Sequence, residues 1–353
     1  MDFAYTAEQT ALAGELAALF GRFPAPPKLR AWADAGIAAF DGELWQTLAD
    51  QRWLGLTLTP ADGGRGLGTD ELTLAACEAG RALAPVPLVA ALLAGEALRA
   101  SSWHAQLKAL ACGDLRVALC LPPPGQMTLA VSVNDGRAGG VLTPAADGLL
   151  ADAALCADDT GNAWLVDLRG DGVRRRQLAT LDLAHTAAEL AVTDAPALAL
   201  GDAGPWRDRA AILIAFEQLG GAQRCLDLAV AYARERYAFG QPIGAFQAVK
   251  HKLAALHVEI ELARANAYFG AYALADGEPG ILAEAAALAR ASATDAYLLA
   301  AQESLHVHGG VGFTWACEAH LHLRRARGLE AALGSAALWR ARLVETPPVP
   351  ATA

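Results

Sequence analysis

Two short stretches hold the residue types that chemistry would need. The first runs from Arg236 through Phe239, Gly240, Pro242 and Gly244 to Phe246 and Gln247; it joins a guanidinium, a tight Gly/Pro turn and an amide side chain. The second runs from His308 through Gly309, Gly310 and Gly312 to Phe313 and Thr314. Each lies where two long apolar-periodic segments meet, so a helical protein would turn its chain there. A guanidinium forks onto phosphate oxygens, and glycines at a helix end let bare backbone approach a pyrophosphate. The chemistry offered is the grip of a nucleotide. Each motif also has a plainer role, since a cation at a helix end complements the dipole and glycine is the usual helix stop. Three glycines around one turn exceed what a stop needs.

Acids are the second source of chemistry. Glu217 lies inside the apolar run Ile212–Gly220. A carboxyl buried in such a run is the kind whose basicity desolvation raises, as a general base requires. The same setting suits a structural, hydrogen-bonded carboxylate. Asp208 reads as an acid complementing a helix start. The pairs His306/His308 and His320/His322 invite a metal, but residues i and i+2 on a helix point to different faces, and no Cys, Asp or Glu completes a set. No metal is expected.

The elements that must position these residues fall into three segments. The first stretch, residues 1–113, has helical pattern: Thr6 and Gln9 have capping-box spacing, and Leu12, Leu16 and Leu19 share a face. Helical pattern returns through Trp45, Leu48 and Trp53 and again from Glu71 to Leu83. Between them, Gly63, Gly64, Gly66 and Gly68 form a glycine run that no strand precedes, which argues for a loop and against a dinucleotide fold. Residues 114–203 change character. Short β-prone runs (Val117–Leu121, Thr128–Val133, Trp164–Leu168, Glu189–Val192) alternate with Gly, Asp and Pro clusters. From 204 to 345 the chain is helical again. Four helices are expected, from Trp206 to Glu235, along the seam Phe246, Val249, Leu253, Leu256, Ile260, Ala263 and Ala267, from Ile281 to Val307, and from Ala319 to Leu343. Residues 346–353 are expected to be a disordered tail. The fold class is mainly α with a small β domain.

Composition narrows the field. A length of 353 residues with 54% hydrophobic and 19% charged residues allows large cores in two or three domains. The net charge of −10 argues against a nucleic-acid or membrane-surface binder. No apolar run is long enough to cross a bilayer, and no basic-then-apolar leader opens the sequence, so a cytoplasmic protein is expected. The six cysteines are scattered without C-x-x-C spacing and read as buried, reduced thiols.

Together the two motifs, in this order and at this separation, resemble the carboxy-terminal flavin-contacting motifs of the acyl-CoA dehydrogenase family. The glycine run with Arg81, Pro85 and Pro87, and Asp152 with Asp182 in the β segment, are similar to that family's other two domains. The resemblance implies an amino-terminal helical domain, a middle β-barrel-like domain and a carboxy-terminal four-helix bundle. It implies FAD, an acyl-CoA substrate desaturated between the α and β carbons, an electron-transfer flavoprotein or similar acceptor, and a homo- or hetero-oligomer, dimer or tetramer. It also implies cofactor contacts from Arg236, Phe239, Gln247, His306, Gly309, Gly310 and Gly312, with His306 standing where relatives often have glutamine.

The departures from the family have a pattern. Relatives place their catalytic glutamate at one of two positions, which match Leu333 and Ala210 here; neither can accept a proton. The Thr-Glu-Pro and Gly-Ser-Asp segments that line the flavin ring are not recognisable between Leu121 and Gly140, and a tryptophan is missing around Leu142 and Thr143. The expected function is therefore the subunit lacking the usual base in a heteromeric acyl-CoA dehydrogenase for bulky or steroid-type CoA esters. The alternatives are a self-sufficient homo-oligomer using a relocated base such as Glu217, and a redox-inactive acyl-CoA-binding homologue.

Overall fold

The computed structural model describes residues 6–99, 101–122, 130–276 and 279–345. Among them, six helices come first: α1 (Ala7–Gly21), α2 (Ala25–Ala35), α3 (Gly42–Asp50), α4 (Thr69–Arg81), α5 (Leu88–Arg99) and α6 (Gln106–Ala111). The capping box that opens α1 forms: Thr6 Oγ1 accepts from the Gln9 N–H at 3.1 Å, and Gln9 Oε1 accepts from the Thr6 N–H at 3.0 Å. Trp53 lies beyond the end of α3 but is fully buried. The glycine run forms a loop with one 3-10 turn, Pro60–Asp62, and Gly68 caps α4.

Seven strands follow: β1 (Val117–Cys120), β2 (Ala130–Asn134), β3 (Arg137–Ala146), β4 (Ala153–Ala157), β5 (Asn162–Asp167), β6 (Val173–Leu178) and β7 (Ala187–Asp202). Their order is β2-β3-β1-β4-β5-β7-β6, and β3 also pairs with β7, so β3, β1, β4, β5 and β7 close a circuit. β1 and β4 run parallel, which the bidentate ion pair of Arg116 with Asp152 ties at their starts (3.0 and 3.2 Å). The 16 residues of β7 serve three partners, β3 and β6 through its first part and β5 through its last.

The last third is helical: α7 (Ala203–Glu235), then a hairpin of β8 (Tyr237–Ala238) and β9 (Gln241–Pro242), then α8 (Gln247–Asp276), α9 (Pro279–His308), α10 (Ala319–Ala332) and α11 (Ala336–Glu345). Leu256, Ile260, Ala263 and Ala267 of α8 are buried at the steps of three and four that the sequence pattern has. The expected fourth helix, Ala319–Leu343, is two helices. Gly334 takes a φ of +87°, which ends α10, and the Trp339 indole N–H donates to the Leu333 carbonyl at 2.7 Å, fixing α11 across the break. Helices α4 and α7 meet backbone to backbone. A Cβ on Gly80 would stand 1.9 Å from the Glu217 carbonyl oxygen, and one on Gly220 would stand 1.8 Å from that of Cys77. The expected tail, residues 346–353, lies outside the described residues. No helix among the described residues is long and apolar enough to cross a membrane. All six cysteines are free, and burial pushes the thiols of Cys77 and Cys120 up to about 12.

Candidate functional site

The first site is the exposed end of the bundle where α7 and α9 stop. Arg236 leaves α7 in extended conformation, its N–H donating to the Tyr232 carbonyl at 2.8 Å, and its own carbonyl accepts from Ile243 at 2.7 Å. Between them the two-residue turn of the hairpin puts both Phe239 (φ 51°) and Gly240 (φ 82°) in the left-handed region. Such a turn suits glycine and disfavours phenylalanine, so Phe239 stores backbone strain while its ring is 97% exposed. Gln247 is exposed at the first position of α8. No carboxylate pairs with Arg236 among the described residues.

The glycine bend lies at this same end. His308, in the last turn of α9, bonds through Nδ1 to the Ser304 carbonyl at 2.7 Å and stacks on Tyr232, ring centroids 4.5 Å apart. Tyr232 is one turn before Arg236 and His308 is next to Gly309, so the stack brings the two motifs together. Gly309 has φ +59°, and a Cβ added to Gly309 or Gly310 would touch nothing within 4 Å. Here the backbone is bare. Gly312 differs: it is buried, with Leu305 and His308 within 3.2 Å of where a Cβ would go, so packing alone calls for glycine. His306 is exposed and faces Glu303, which also holds Lys252 of α8. Val311, Phe313 and Trp315 are exposed beside the bend. A bare guanidinium, a side-chain amide and uncovered glycine N–H groups are the donor set that a dinucleotide's phosphates require, so these residues fit FAD.

The second site is a cleft of about 490 Å³ where the three segments of the chain meet. Val86 and Leu88 from the first segment, Leu119 and Pro144 from the sheet, and Ile214, Leu329 and Leu333 from the bundle make its apolar walls. Its charged groups are paired. Arg325 of α10 donates to Glu217 of α7, through Nε at 3.1 Å and again through Nη2, and to Asp182 of the loop between β6 and β7 through Nη1. All three side chains are at most 9% exposed. Behind them Arg290 is fully buried, donating to Gln218 Oε1 and to the Leu329 carbonyl; burial brings its guanidinium down to about 10.

Across the cleft, Asp147 Oδ2 and His185 Nδ1 are 2.8 Å apart, and Asp147 Oδ1 accepts from the Thr186 N–H at 3.0 Å. Burial pushes the Asp147 carboxyl up, but the charge and hydrogen bond of His185, the Thr186 N–H and Arg325 outweigh it, so it sits below the usual range. For His185, burial and the Arg325 charge work against the imidazolium, yet Asp147 and Asp182 prevail and its pKa is raised.

Ala210 is fully buried in α7, and Leu333 closes α10 in the cleft wall. Glu217 lines the cleft, but Arg325 occupies its oxygen Oε1 twice over. Asp208 is not at the helix start. α7 begins at Ala203, and Asp208 is buried one turn in, against Arg342 of α11 at 2.9 Å; burial pushes its carboxyl up despite that partner. The two histidine pairs are dispersed: His320 meets Trp315, and His322 Nδ1 shares a hydrogen bond with the Tyr297 hydroxyl at 2.9 Å. Among the described residues no three metal-ligating side chains gather. The sequence pattern holds a signal for Arg325 that its charge obscured, because Leu321, Arg325 and Leu329 repeat at steps of four on one buried face.

This order of helical segment, sheet and helix bundle defines a class of protein. The N-terminal domain of acyl-CoA dehydrogenases matches residues 6–108, and the C-terminal domain matches residues 208–346. Acyl-CoA dehydrogenase IpdE2 of Mycobacterium tuberculosis is 34% identical over 91% of this chain and 91% of its own length. Acyl-CoA dehydrogenase FadE34 of the same organism is 35% identical over 88% of this chain, which spans only 42% of FadE34. Among solved structures, the ChsE4–ChsE5 complex from Mycobacterium tuberculosis superposes with a TM-score of 0.88 at 29% identity, over 99% of this chain and 100% of that one. The chain belongs to the acyl-CoA dehydrogenase family, whose members are FAD-dependent oxidoreductases.

Proposed function

We propose that this chain is the partner subunit of a heteromeric acyl-CoA dehydrogenase, lending cofactor-gripping groups to a catalytic subunit while lacking the glutamate base itself. The observation that carries this reading is the contrast between its two sites. At the bundle end, Arg236, Gln247, Gly309 and Gly310 stand bare, with Phe239 and Phe313 exposed beside them. In the cleft both base positions are apolar, Asp182 and Glu217 are held by Arg325, and Asp147 is held by His185.

Desaturation of an acyl-CoA needs a desolvated carboxylate to take the α-proton and hydrogen bonds to hold the developing enolate. FAD supplies the acceptor for the β-hydride. In this chain Arg236 would fork onto the pyrophosphate, the glycine N–H groups of 309 and 310 would add donors, and Gln247 and Phe239 would hold the adenosine end. His306, an exposed donor at the same end, would assist. The large exposed apolar groups there suit coverage by another subunit. A pairing reading is further supported by FadE34, whose length has room for a second unit of this size, and by the ChsE4–ChsE5 structure, a complex of two named components. The substrate would be a bulky acyl-CoA, the acceptor an electron-transfer flavoprotein or equivalent, and the compartment the cytoplasm.

The test is purification of the chain alone and co-expressed with a homologue that carries the glutamate. The complex should hold FAD and turn over acyl-CoA, and Arg236→Met within it should lower FAD retention by about tenfold, the scale of one lost charge-assisted contact. Stoichiometric FAD and robust turnover by the isolated chain would reject the proposal. A second reading rests on Glu217 lining the cleft: a homo-oligomer that uses it as base. There the isolated chain is active and Glu217→Gln abolishes turnover.

A further inference from the structure

Among the polar groups that line the cleft, His185 presents an unpaired ring edge to it. Asp147 takes His185 by Nδ1 at 2.8 Å, and the imidazole lines the cleft with its side chain 14% exposed. Among the described residues Nε2 has no partner, and it is not among the occluded polar atoms. Among the described residues the charged groups around this imidazole sit in ion pairs. Arg325 holds Asp182 and Glu217, Arg327 at the rim pairs with Glu330, and Cys120 stays a thiol because burial pushes it up to about 12.

We infer that His185, oriented by Asp147, is a recognition group for a neutral, apolar ligand bearing a carbonyl oxygen, which Nε2 meets as a hydrogen-bond donor inside this cleft. Charge bookkeeping selects the neutral ligand. The Asp147–His185 pair sums to zero when the imidazole is protonated, and Arg325 with the buried Arg290 behind it balances Asp182 and Glu217, so the apolar cleft offers no net charge for which an anion would give up its hydration. Shape agrees, because aliphatic walls from all three segments surround the pair.

The dyad also fixes a pH sign. Below the raised pKa of His185 both ring nitrogens carry protons and Nε2 donates. Above it the Asp147 carboxylate keeps the remaining proton on Nδ1, so Nε2 turns from donor to acceptor. A ketone, which only accepts, loses its partner. An alcohol, which can donate, keeps one.

The experiment is ligand-observed NMR titration of the full chain, alone or in the complex in which it purifies, with 2-nonanone, 2-nonanol and octanoate at pH 6 and pH 9. The affinity for 2-nonanone should fall by about three- to tenfold between the two pH values, the scale of one net hydrogen bond, whereas that for 2-nonanol should hold within about twofold. Octanoate should bind more weakly than the ketone. His185→Phe should remove the pH difference for the ketone. His185→Gln, whose amide donates at any pH, should bind the ketone equally at both and guards against a folding defect in the first variant. Parallel pH profiles for ketone and alcohol, ketone binding indifferent to His185→Phe, absence of ketone binding, or a preference for octanoate would each overturn the inference. The measurement needs neither FAD nor turnover, so its failure is distinct from failure of the partner-subunit reading.

Discussion

Removing Arg325 should do more damage than removing any one of the carboxylates it serves. The guanidinium joins α7, α10 and the loop before β7, and the exposures of Arg325, Glu217 and Asp182 are 9%, 7% and 5%. Arg325→Met preserves most of the stem but leaves two buried carboxylates without a cation. Breaking one buried pair costs about 3–5 kcal/mol, and with two acids orphaned the upper end is expected. Glu217→Gln keeps the shape and one acceptor oxygen, so about 1–3 kcal/mol is expected. In the double variant only Asp182 is orphaned, so the two effects should fall short of adding by about 0.5–3 kcal/mol. Urea unfolding followed by circular dichroism gives the free energies, and hydrogen exchange of the α10 amides localises the loss, which guards against multi-step unfolding of a three-part chain. If Arg325→Met costs under about 1 kcal/mol, or the pair is additive within about 0.5 kcal/mol, the ion cluster does not tie α7, α10 and the loop before β7 together.

Gly220→Ala places a methyl 1.8 Å from the Cys77 carbonyl oxygen, so α4 and α7 must part; a loss of about 1–3 kcal/mol or more is expected, read as a lower thermal midpoint. The Asp147–His185 pair should stabilise the fold most between the ordinary carboxylate and imidazole pKa values. The lowered Asp147 pKa gives stability that is lost as pH falls through its folded value, and the raised His185 pKa gives stability that is lost as pH rises through its own. The difference in unfolding free energy between the native chain and Asp147→Asn should therefore be largest near pH 5–6 and shrink on either side. Cys317 should be alkylated by iodoacetamide at neutral pH ahead of Cys77, Cys120, Cys156 and Cys225. Burial raises its pKa, but hydrogen bonds from His308 and the Ala319 N–H outweigh it and lower it below the usual thiol, whereas burial pushes up Cys77, Cys120, Cys156 and Cys225. Peptide mapping after brief labelling checks this, and His308→Phe should remove the advantage.

Local pattern carried far in this protein. The capping box at Thr6, the α8 seam and the glycine stop after His308 depend on neighbours three or four residues away, so the sequence alone determined them, together with the helix–strand–helix order. The β-prone runs it held mark parts of β1, β2, β5 and β7, but β3, with its paired glycines, β4, rich in alanine, and β6, with three consecutive arginines, lack a strand's usual apolar or β-branched signature. Pairing across the sheet made them strands. Long-range geometry decided the rest. Glu217 was visible as an acid in an apolar run, yet its partner Arg325 is 108 residues away, and nothing local could say whether that carboxylate was free. Asp147 and His185 are 38 residues apart and meet only because β3 and β7 pair, which brings the end of one strand to the start of the other. Periodicity reports which face of an element is buried; the identity of what meets it there belongs to the tertiary fold.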